Sequence, residues 1–272
     1  MPSYVVVGAS RGLGYAFLKV LASDPENIVV GLARDDVALK QRLGKDGLAS
    51  SVHTFKTDVT NVAELKAART EIEKVVQSID YLIYNTAYKT IATLTRNLGE
   101  FSDDMDYLES EIDKSMKVNV MGAILTIDVL MPLVLRSSTK KIVALTSGMS
   151  SCEFTNDTGI DGGIPYSISK AGLNMLVAKY NATYKSDGVL VMGICAGYVN
   201  TLEGGMPSLS ERDQARFQDF GAKVQAYATK YAGPVPPEEG ASQLLKVMHN
   251  SSLVNGNGGT CVSFFGSTTK WL

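Results

Sequence analysis

A chain of 272 residues with 45% hydrophobic content can bury a large core, and one α/β domain is expected, although length alone would also permit two. The 26 Lys and Arg nearly balance the 28 Asp and Glu, so no polyelectrolyte field advertises a nucleic acid or an anionic membrane, and a small-molecule ligand is expected. Cys152, Cys195 and Cys261 lie far apart and His53 and His249 stand alone, a pattern that supports neither a disulfide framework nor a zinc site.

The first residues run directly into a strand-like segment, with no basic region followed by a long apolar run, and no span approaches about 18 apolar residues. The expectation is a soluble, cytoplasmic protein in a reducing compartment. Tyr4 to Val7 is an apolar, β-branched run that breaks into Gly8-Ala9-Ser10-Arg11-Gly12-Leu13-Gly14 before an amphipathic stretch to Ala22. That pattern predicts strand, glycine turn and helix. Such a turn exposes the N–H groups and positive dipole end of the helix, and its glycines let a pyrophosphate approach the backbone, so a dinucleotide is the expected ligand.

A second buried strand, Ile28 to Leu32, ends at Ala33-Arg34. A carboxylate near this strand end suits a free ribose 2′-hydroxyl, whereas an Arg suits a 2′-phosphate. Arg34 and Arg11 therefore favour NADP(H), the alternative being that Asp35 or Asp36 reaches the ribose of NAD(H). Val52 to Phe55 reads as a third strand, followed by Asp58-Val59-Thr60 and a helix through Leu65, Ile72 and Val76. Asp58 either holds the adenine amino group or caps that helix. Asp80 to Tyr84 is a fourth strand, ending in Asn85-Thr86-Ala87; the segment from Lys89 to Asp106 is polar and irregular. Helical periodicity resumes from Tyr107 to Leu130, and Asn119 within it is either exposed or organises a kink with a bound water.

Lys141 to Leu145 is a fifth strand closing on Thr146-Ser147-Gly148, and a polar, Gly-rich loop leads to Tyr166-Ser167-Ile168-Ser169-Lys170 at the head of a long helix. Residues four apart share a helix face, so the Tyr166 phenol and the Lys170 ammonium project together. A cation beside a phenol favours the phenolate, which would make the pair an acid/base device; a simple amphipathic pair has the same spacing. Val189 to Ile194 is a sixth strand. Segment 202–237 mixes Gly, Pro and Met with a charged helix and is the candidate substrate lid. A helix from Pro237 to His249 and a strand from Thr260 to Phe264 complete the chain. Strands alternating with helices predict a single-domain, Rossmann-like, doubly wound parallel sheet of about seven strands with helices on both faces, its ligands at the carboxyl ends of the strands.

Over essentially its whole length the sequence resembles the short-chain dehydrogenase/reductase superfamily. The glycine turn matches at Gly8, Gly12 and Gly14, with Val7 where Thr is usual; Asp58-Val59 matches the adenine-contacting pair; Asn85-Thr86-Ala87 is a variant of Asn-Ala-Gly; Asn119-Val120-Met121-Gly122 matches Asn-Val-x-Gly. Ser147 falls on the catalytic Ser, Tyr166 and Lys170 on Tyr-x-x-x-Lys, and Ala196-Gly197 on a Pro-Gly that lacks its Pro. The long separation of Ser147 from Tyr166 and the ending Phe265 to Trp271 look like the sniffer-type and C-factor-like carbonyl reductases.

The resemblance implies catalysis by Asn119, Ser147, Tyr166 and Lys170, and NADP(H) held by Gly8, Ser10, Arg11, Gly12, Leu13, Gly14, Arg34, Asp58, Val59, Asn85, Thr86, Ala87, Tyr166, Lys170, Gly197, Val199 and Thr201. In reduction, Ser147 and Tyr166 would bond the substrate oxygen while hydride reaches its carbon; Lys170 would lower the Tyr166 pKa and Asn119 would anchor a proton-relay water. Met149, Phe154, Tyr198 and Met206 lie in loops expected around the carbonyl, so an apolar or aromatic ketone or aldehyde, or the matching alcohol, is the expected partner. The resemblance also implies a homodimer or homotetramer. A non-redox isomerase, dehydratase or cyclase and a cofactor-binding regulatory protein remain the alternatives.

Overall fold

Successive side chains of β1 (Ser3–Val7) point to opposite faces, and both faces are apolar: Tyr4 and Val6 join one core layer, Val5 and Val7 the other. A strand buried on both sides belongs inside a parallel sheet covered by helices. In the computed structural model, which describes residues 1–201, 208–229 and 233–272, β1 pairs in parallel with β2 (Ile28–Ala33) on one side and β4 (Tyr81–Tyr84) on the other. With β3 (Val52–Lys56), β5 (Lys141–Thr146), β6 (Leu190–Cys195) and β7 (Cys261–Ser263), the sheet has seven parallel strands in the order β3-β2-β1-β4-β5-β6-β7. The chain builds outward from β1 to β3, then returns to the other side of β1. That reversal opens a crevice between the carboxyl ends of β1 and β4, where an open α/β sheet places its ligand.

The helices are α1 (Gly12–Ala22), α2 (Asp36–Lys45), α3 (Val62–Val75), α4 (Ile91–Leu94), α5 (Met105–Ser115), α6 (Gly122–Arg136), α7 (Cys152–Thr158), α8 (Ile164–Tyr184), α9 (Glu211–Tyr227) and α10 (Pro237–Asn250). Leu18 and Leu21 of α1, Leu39 and Leu43 of α2 and Leu244 and Met248 of α10 fill one face of the sheet. Ala68 and Ile72 of α3, Ile127 and Leu130 of α6 and Leu173 and Val177 of α8 fill the other. A smaller core of Phe154, Ile160, Cys195, Val224 and Trp271 lies beyond the carboxyl edge of β6.

Two regions carry more regular structure than their sequence suggests. The stretch read as irregular from Lys89 to Asp106 contains α4 and a 3₁₀ turn, Leu98–Phe101, closed by reciprocal bonds between Asn97 and Glu100. The loop after Ser147 contains α7, capped by Ser151. Helices α5 and α6 are joined without interruption by a π-helical segment, Met116–Met121. Contrary to the expectation from sequence, this continuous helix, Met105–Arg136, is long and apolar enough by composition to cross a membrane; half of the apolar window is buried inside the protein. Its apolar side is spent on the sheet, and its Asp128 accepts a hydrogen bond from the Tyr180 hydroxyl of α8 at 2.6 Å.

Candidate active site

Gly8 follows β1 with φ +82°, a conformation that L side chains rarely adopt, and a Cβ there would lie 2.6 Å from Thr86 Oγ1. A Cβ on Gly14 would lie 2.0 Å from the Gly8 carbonyl oxygen. Both positions therefore need glycine for close approach: one against the β4 edge, one where α1 packs on the turn. Asn85 ties the two strand ends together by donating from Nδ2 to the Gly8 carbonyl at 2.9 Å. Arg11 stands at the N-cap of α1 and makes no side-chain cap bond itself, and the positive end of this helix faces the crevice. Thr86 Oγ1 is buried there without a hydrogen-bond partner. A cradle closed to any Cβ, the positive end of a helix and an orphaned hydroxyl fit a bound pyrophosphate. Thr201 lies over the turn, since a Cβ on Gly12 would be 3.0 Å from its Cβ. Ser10 belongs to the same turn and Leu13 to the first turn of α1, and Gly197 and Val199 follow β6 at the same sheet edge.

Arg34 follows β2 exposed. The competing carboxylates are engaged elsewhere: Asp35 caps α2 by accepting from Ala38 N–H at 2.9 Å, and Asp36 pairs with Lys40 at 2.8 Å. Asp58 does not cap α3; Asn61 does. Its Oδ1 instead accepts from the Thr60 N–H and hydroxyl, each at 2.8 Å. Burial opposes the Asp58 carboxylate, but those bonds and the positive charges of Arg34 and Lys117 hold its pKa below the usual value. Val59 packs where a Cβ on Gly122 would meet it. Sequence reasoning missed Arg42, whose Nη1 donates to the Ser10 carbonyl at 3.3 Å while its guanidinium stacks 3.7 Å from the Tyr15 ring centroid. Its only sequence signal was a third Arg on the helix after β2.

Tyr166 and Lys170 lie in the first two turns of α8, facing the end of β5. The Lys170 ammonium is 5.7 Å from the Tyr166 ring centroid and donates to the Leu145 carbonyl at 2.6 Å. Ser147 is a hydrogen-bond partner of the Tyr166 phenol and accepts from Met149 N–H at 3.2 Å. The net shift at Tyr166 is upward, so any lowering by Lys170 does not set its direction. Desolvation and the nearby Cys195 raise the phenol pKa, with Ser147 opposing them, while desolvation and the charge of Lys89 push Lys170 down to about 7. Both groups are thus biased toward their neutral forms. Cys195 was also missed: its Sγ accepts from Gly148 N–H at 3.1 Å and Gly197 N–H at 3.4 Å, clipping together the loops after β5 and β6.

Asn119 is fully buried within the π segment. Its Oδ1 accepts from Tyr88 N–H at 2.6 Å, and its Nδ2 donates to the Tyr88 carbonyl at 3.0 Å and to Ser169 Oγ at 2.8 Å. Ser169 in turn donates to the Tyr166 carbonyl at 2.7 Å. Both amide protons are spent on protein acceptors, so this side chain braces the segment after Ala87 against the Tyr166 turn and does not offer a donor to a relay water. The kink is the π bulge itself, whose Val118 carbonyl accepts from the Tyr84 hydroxyl at 2.6 Å.

On the side away from the glycine turn, Met149 is half-buried, and a Cβ on Gly163 would lie 2.6 Å from its methyl group. Phe154 is a correction: it is 4% exposed and packs edge-on against Tyr227 at 5.0 Å, a core position under α9. Tyr198 is 39% exposed with its ring 6.3 Å from Phe220, and Met206 lies outside the described residues. Lys89, unnoticed in an irregular stretch, places its ammonium 5.7 Å from the Tyr166 ring centroid.

Comparison with known proteins agrees with this geometry. The short chain dehydrogenase family matches residues 3–206. The short chain dehydrogenase virK of Hypocrea virens is 36% identical and the short-chain dehydrogenase/reductase iacC of Pestalotiopsis fici 34% identical, each match covering 100% of both chains. Among solved structures, the fold is similar to NADPH-bound carbonyl reductase from chicken fatty liver, with TM-score 0.77 and 19% identity over 100% of this chain and 99% of that one. It is equally similar to the carbonyl reductase Sniffer of D. melanogaster, with TM-score 0.77 and 17% identity over 100% of both chains. With Ser147, Tyr166 and Lys170 gathered beside a glycine cradle at the carboxyl edge of the sheet, the chain belongs to the short-chain dehydrogenase family of oxidoreductases, which work with a nicotinamide cofactor.

Proposed function

We propose that the protein is an NADP(H)-dependent reductase of a small ketone or aldehyde, or the corresponding alcohol dehydrogenase. The observation that carries the reading is the hydrogen bond between the Ser147 and Tyr166 side chains, with the ammonium of buried Lys170 5.7 Å from the Tyr166 ring centroid. The cofactor, when bound, supplies or accepts the hydride. Everything else falls to this chain. Two hydroxyls aimed at one substrate oxygen stabilise the charge that develops there more than they stabilise the ground state. Tyr166, kept neutral by burial, holds the proton that reduction consumes. Lys170, with a pKa near 7, can exchange protons close to neutrality. Asn119 holds the Tyr166 turn in place through Ser169.

The 2′-phosphate preference rests on Arg34 and Arg11, with Arg42 steadying the turn from α2. Asp35 and Asp36, the carboxylates that would favour a free ribose, are committed to the helix cap and to Lys40. Half-buried Met149 and accessible Tyr198 suit a substrate with an apolar or aromatic body. Segment 202–237 is the proposed lid; its residues 202–207 and 230–232 lie outside the described residues. The apolar side chains of Met121, Ile168 and Met175 are exposed on the long helix and on α8, where we place a homo-oligomer contact; sedimentation showing only monomer at micromolar concentration would remove it. The test of the activity is NADPH and NADH oxidation against a panel of ketones and aldehydes, with reduction of NADP⁺ by alcohols as the reverse assay. Carbonyl-dependent NADPH oxidation is expected. Redox silence with every carbonyl and alcohol, in a protein that binds the dinucleotide, would overturn the reading in favour of non-redox chemistry.

A further inference from the structure

Two ammonium groups flank the Tyr166 ring, and only one belongs to the Tyr-x-x-x-Lys spacing. Lys89 Nζ and Lys170 Nζ each lie 5.7 Å from the ring centroid. The family's catalytic motifs assign Lys89 no task. We propose that Lys89 is a substrate-binding residue that selects carbonyl compounds, or their alcohols, carrying an anionic oxygen, a carboxylate or a phenolate, held beside Ser147 and Tyr166.

The backbone on either side of Lys89 is fixed by hydrogen bonds, and its exposed side chain stands with the ammonium beside Tyr166. Tyr88 bonds through both N–H and carbonyl to the Asn119 amide. The Tyr88 hydroxyl donates to Glu111 Oε1 at 2.9 Å and the Thr90 hydroxyl to Glu111 Oε2 at 3.1 Å. Glu111 is 2% exposed and already pairs with Lys114 at 2.9 Å. The carboxylate that organises this segment is therefore fully engaged by Tyr88, Thr90 and Lys114, and among the described residues no ion pair includes Lys89.

A cation left unpaired beside a catalytic phenol has an electrostatic cost. Lys89 is exposed as a residue, open to an incoming ligand, yet desolvation beside the Tyr166 ring lowers its pKa, and its charge helps lower that of Lys170. An entering anion offsets that cost, because an oxygen bearing negative charge gains a charge-assisted bond and favours the charged form of both lysines. Neutral carbonyl compounds leave that cost in place. The substrate body remains apolar or aromatic, with the anionic oxygen at the Lys89 end.

This inference rests on the reductase reading, so the test includes a readout that needs no turnover. 4-(Hydroxymethyl)benzoate and its methyl ester are titrated calorimetrically into the full-length protein, with and without saturating NADPH. 4-Carboxybenzaldehyde, methyl 4-formylbenzoate and 4-hydroxybenzaldehyde, the last above its phenol pKa, are compared as substrates. The unmodified protein should favour a charged probe over the neutral ester by about tenfold or more in affinity and in kcat/KM. Lys89→Met should erase that preference and Lys89→Arg should keep most of it, both with unchanged NADPH affinity. The carboxylate and phenolate arms tell which anion is taken; preference for either supports the proposal. No preference in the unmodified protein, or the same preference in Lys89→Met, overturns it. A fall in NADPH affinity in Lys89→Met with an unchanged preference ratio assigns Lys89 to the dinucleotide instead and also overturns it. A protein that binds no dinucleotide sinks the reductase reading, while the titrations without NADPH still decide the role of Lys89.

Discussion

The side-chain amide of Asn119 and the backbone of Tyr88 exchange two hydrogen bonds, N–H to Oδ1 at 2.6 Å and Nδ2 to carbonyl at 3.0 Å, across 31 positions of sequence. This exchange fastens the segment leaving β4 to the π turn of the long helix. The same amide continues through Ser169 to the Tyr166 carbonyl. One buried residue thus sets the spacing between the chain that carries Lys89 and the helix that carries the phenol.

Replacing Asn119 with Leu removes three hydrogen bonds and leaves the Tyr88 N–H and carbonyl unpaired in a buried site. Such groups cost about 1–3 kcal/mol each, so Asn119→Leu should lose about 2–5 kcal/mol in urea denaturation with an unchanged m-value. Asn119→Asp keeps the acceptor but not the donors and should fall between. A loss under about 0.5 kcal/mol for the Leu variant, within the range of ordinary surface changes, would show that the exchange contributes nothing.

Lys170 gives a pH-dependent stability with a defined sign. Its pKa is about 7 in the folded protein against an ordinary 10.5, so between those values the unfolded chain binds more protons and stability rises with pH. The penalty of burying the ammonium is complete below pH 7 and gone above about pH 10.5. Lys170→Met should therefore stabilise the protein by about 1–3 kcal/mol at pH 6, after allowing for the lost bond to Leu145, and the advantage should vanish by about pH 11. Denaturation midpoints at pH 6, 8 and 11 check the slope; an advantage that grew with pH would contradict it.

Much of this architecture is local enough to be legible in sequence. The strand, glycine turn and helix at the start occupy consecutive residues, and the four-residue spacing of Tyr166 and Lys170 is helical geometry. Both could be read before any tertiary contact was known. The alternation of apolar strands with helices likewise predicted the seven-stranded parallel sheet. What escaped depends on contacts distant in sequence. Asn119 finds its partners at Tyr88 and Ser169, so its bracing role has no signature in its own helix. Lys89 sits in a stretch without periodicity, and nothing local shows that Glu111, 22 residues on, organises both its neighbours. Phe154 looks like a loop aromatic until α7 folds it under α9 against Tyr227. The direction of the Tyr166 shift also depends on its whole surroundings, because the spacing reveals the cation but not the desolvation that raises the phenol pKa.

Arg34 separates the two dinucleotides. If its guanidinium meets a 2′-phosphate, Arg34→Ala should weaken NADPH binding and narrow its preference over NADH by roughly one to two orders of magnitude, the range of a charge-assisted contact. NADH affinity should change little, since Asp35 and Asp36 remain bound to the helix cap and to Lys40. Titrations of both dinucleotides measure the ratio directly. Tighter binding of NADH than NADPH to the unmodified protein would reverse the assignment and return the ribose to one of those carboxylates.

Tyr166→Phe tests the chemistry apart from the architecture. The substitution deletes one hydroxyl and keeps the ring, so the packing around Ser147 and Lys170 should survive and the dinucleotide should bind as before. Proton donation and one of the two contacts to the substrate oxygen disappear together. Loss of an acid/base group costs about 10² to 10⁴ in rate, and kcat should fall by that much with any substrate the unmodified protein reduces. Ser147→Ala removes the other contact and the bond that opposes the raised phenol pKa, so it should also lower kcat. Lys170→Met should lower both turnover and NADPH affinity if its ammonium serves proton exchange and the cofactor together. The pattern across the three variants is the discriminating measurement. If Tyr166→Phe reduces carbonyls at the unmodified rate, the phenol is not the acid, and the two-hydroxyl arrangement at the end of β5 must serve another reaction.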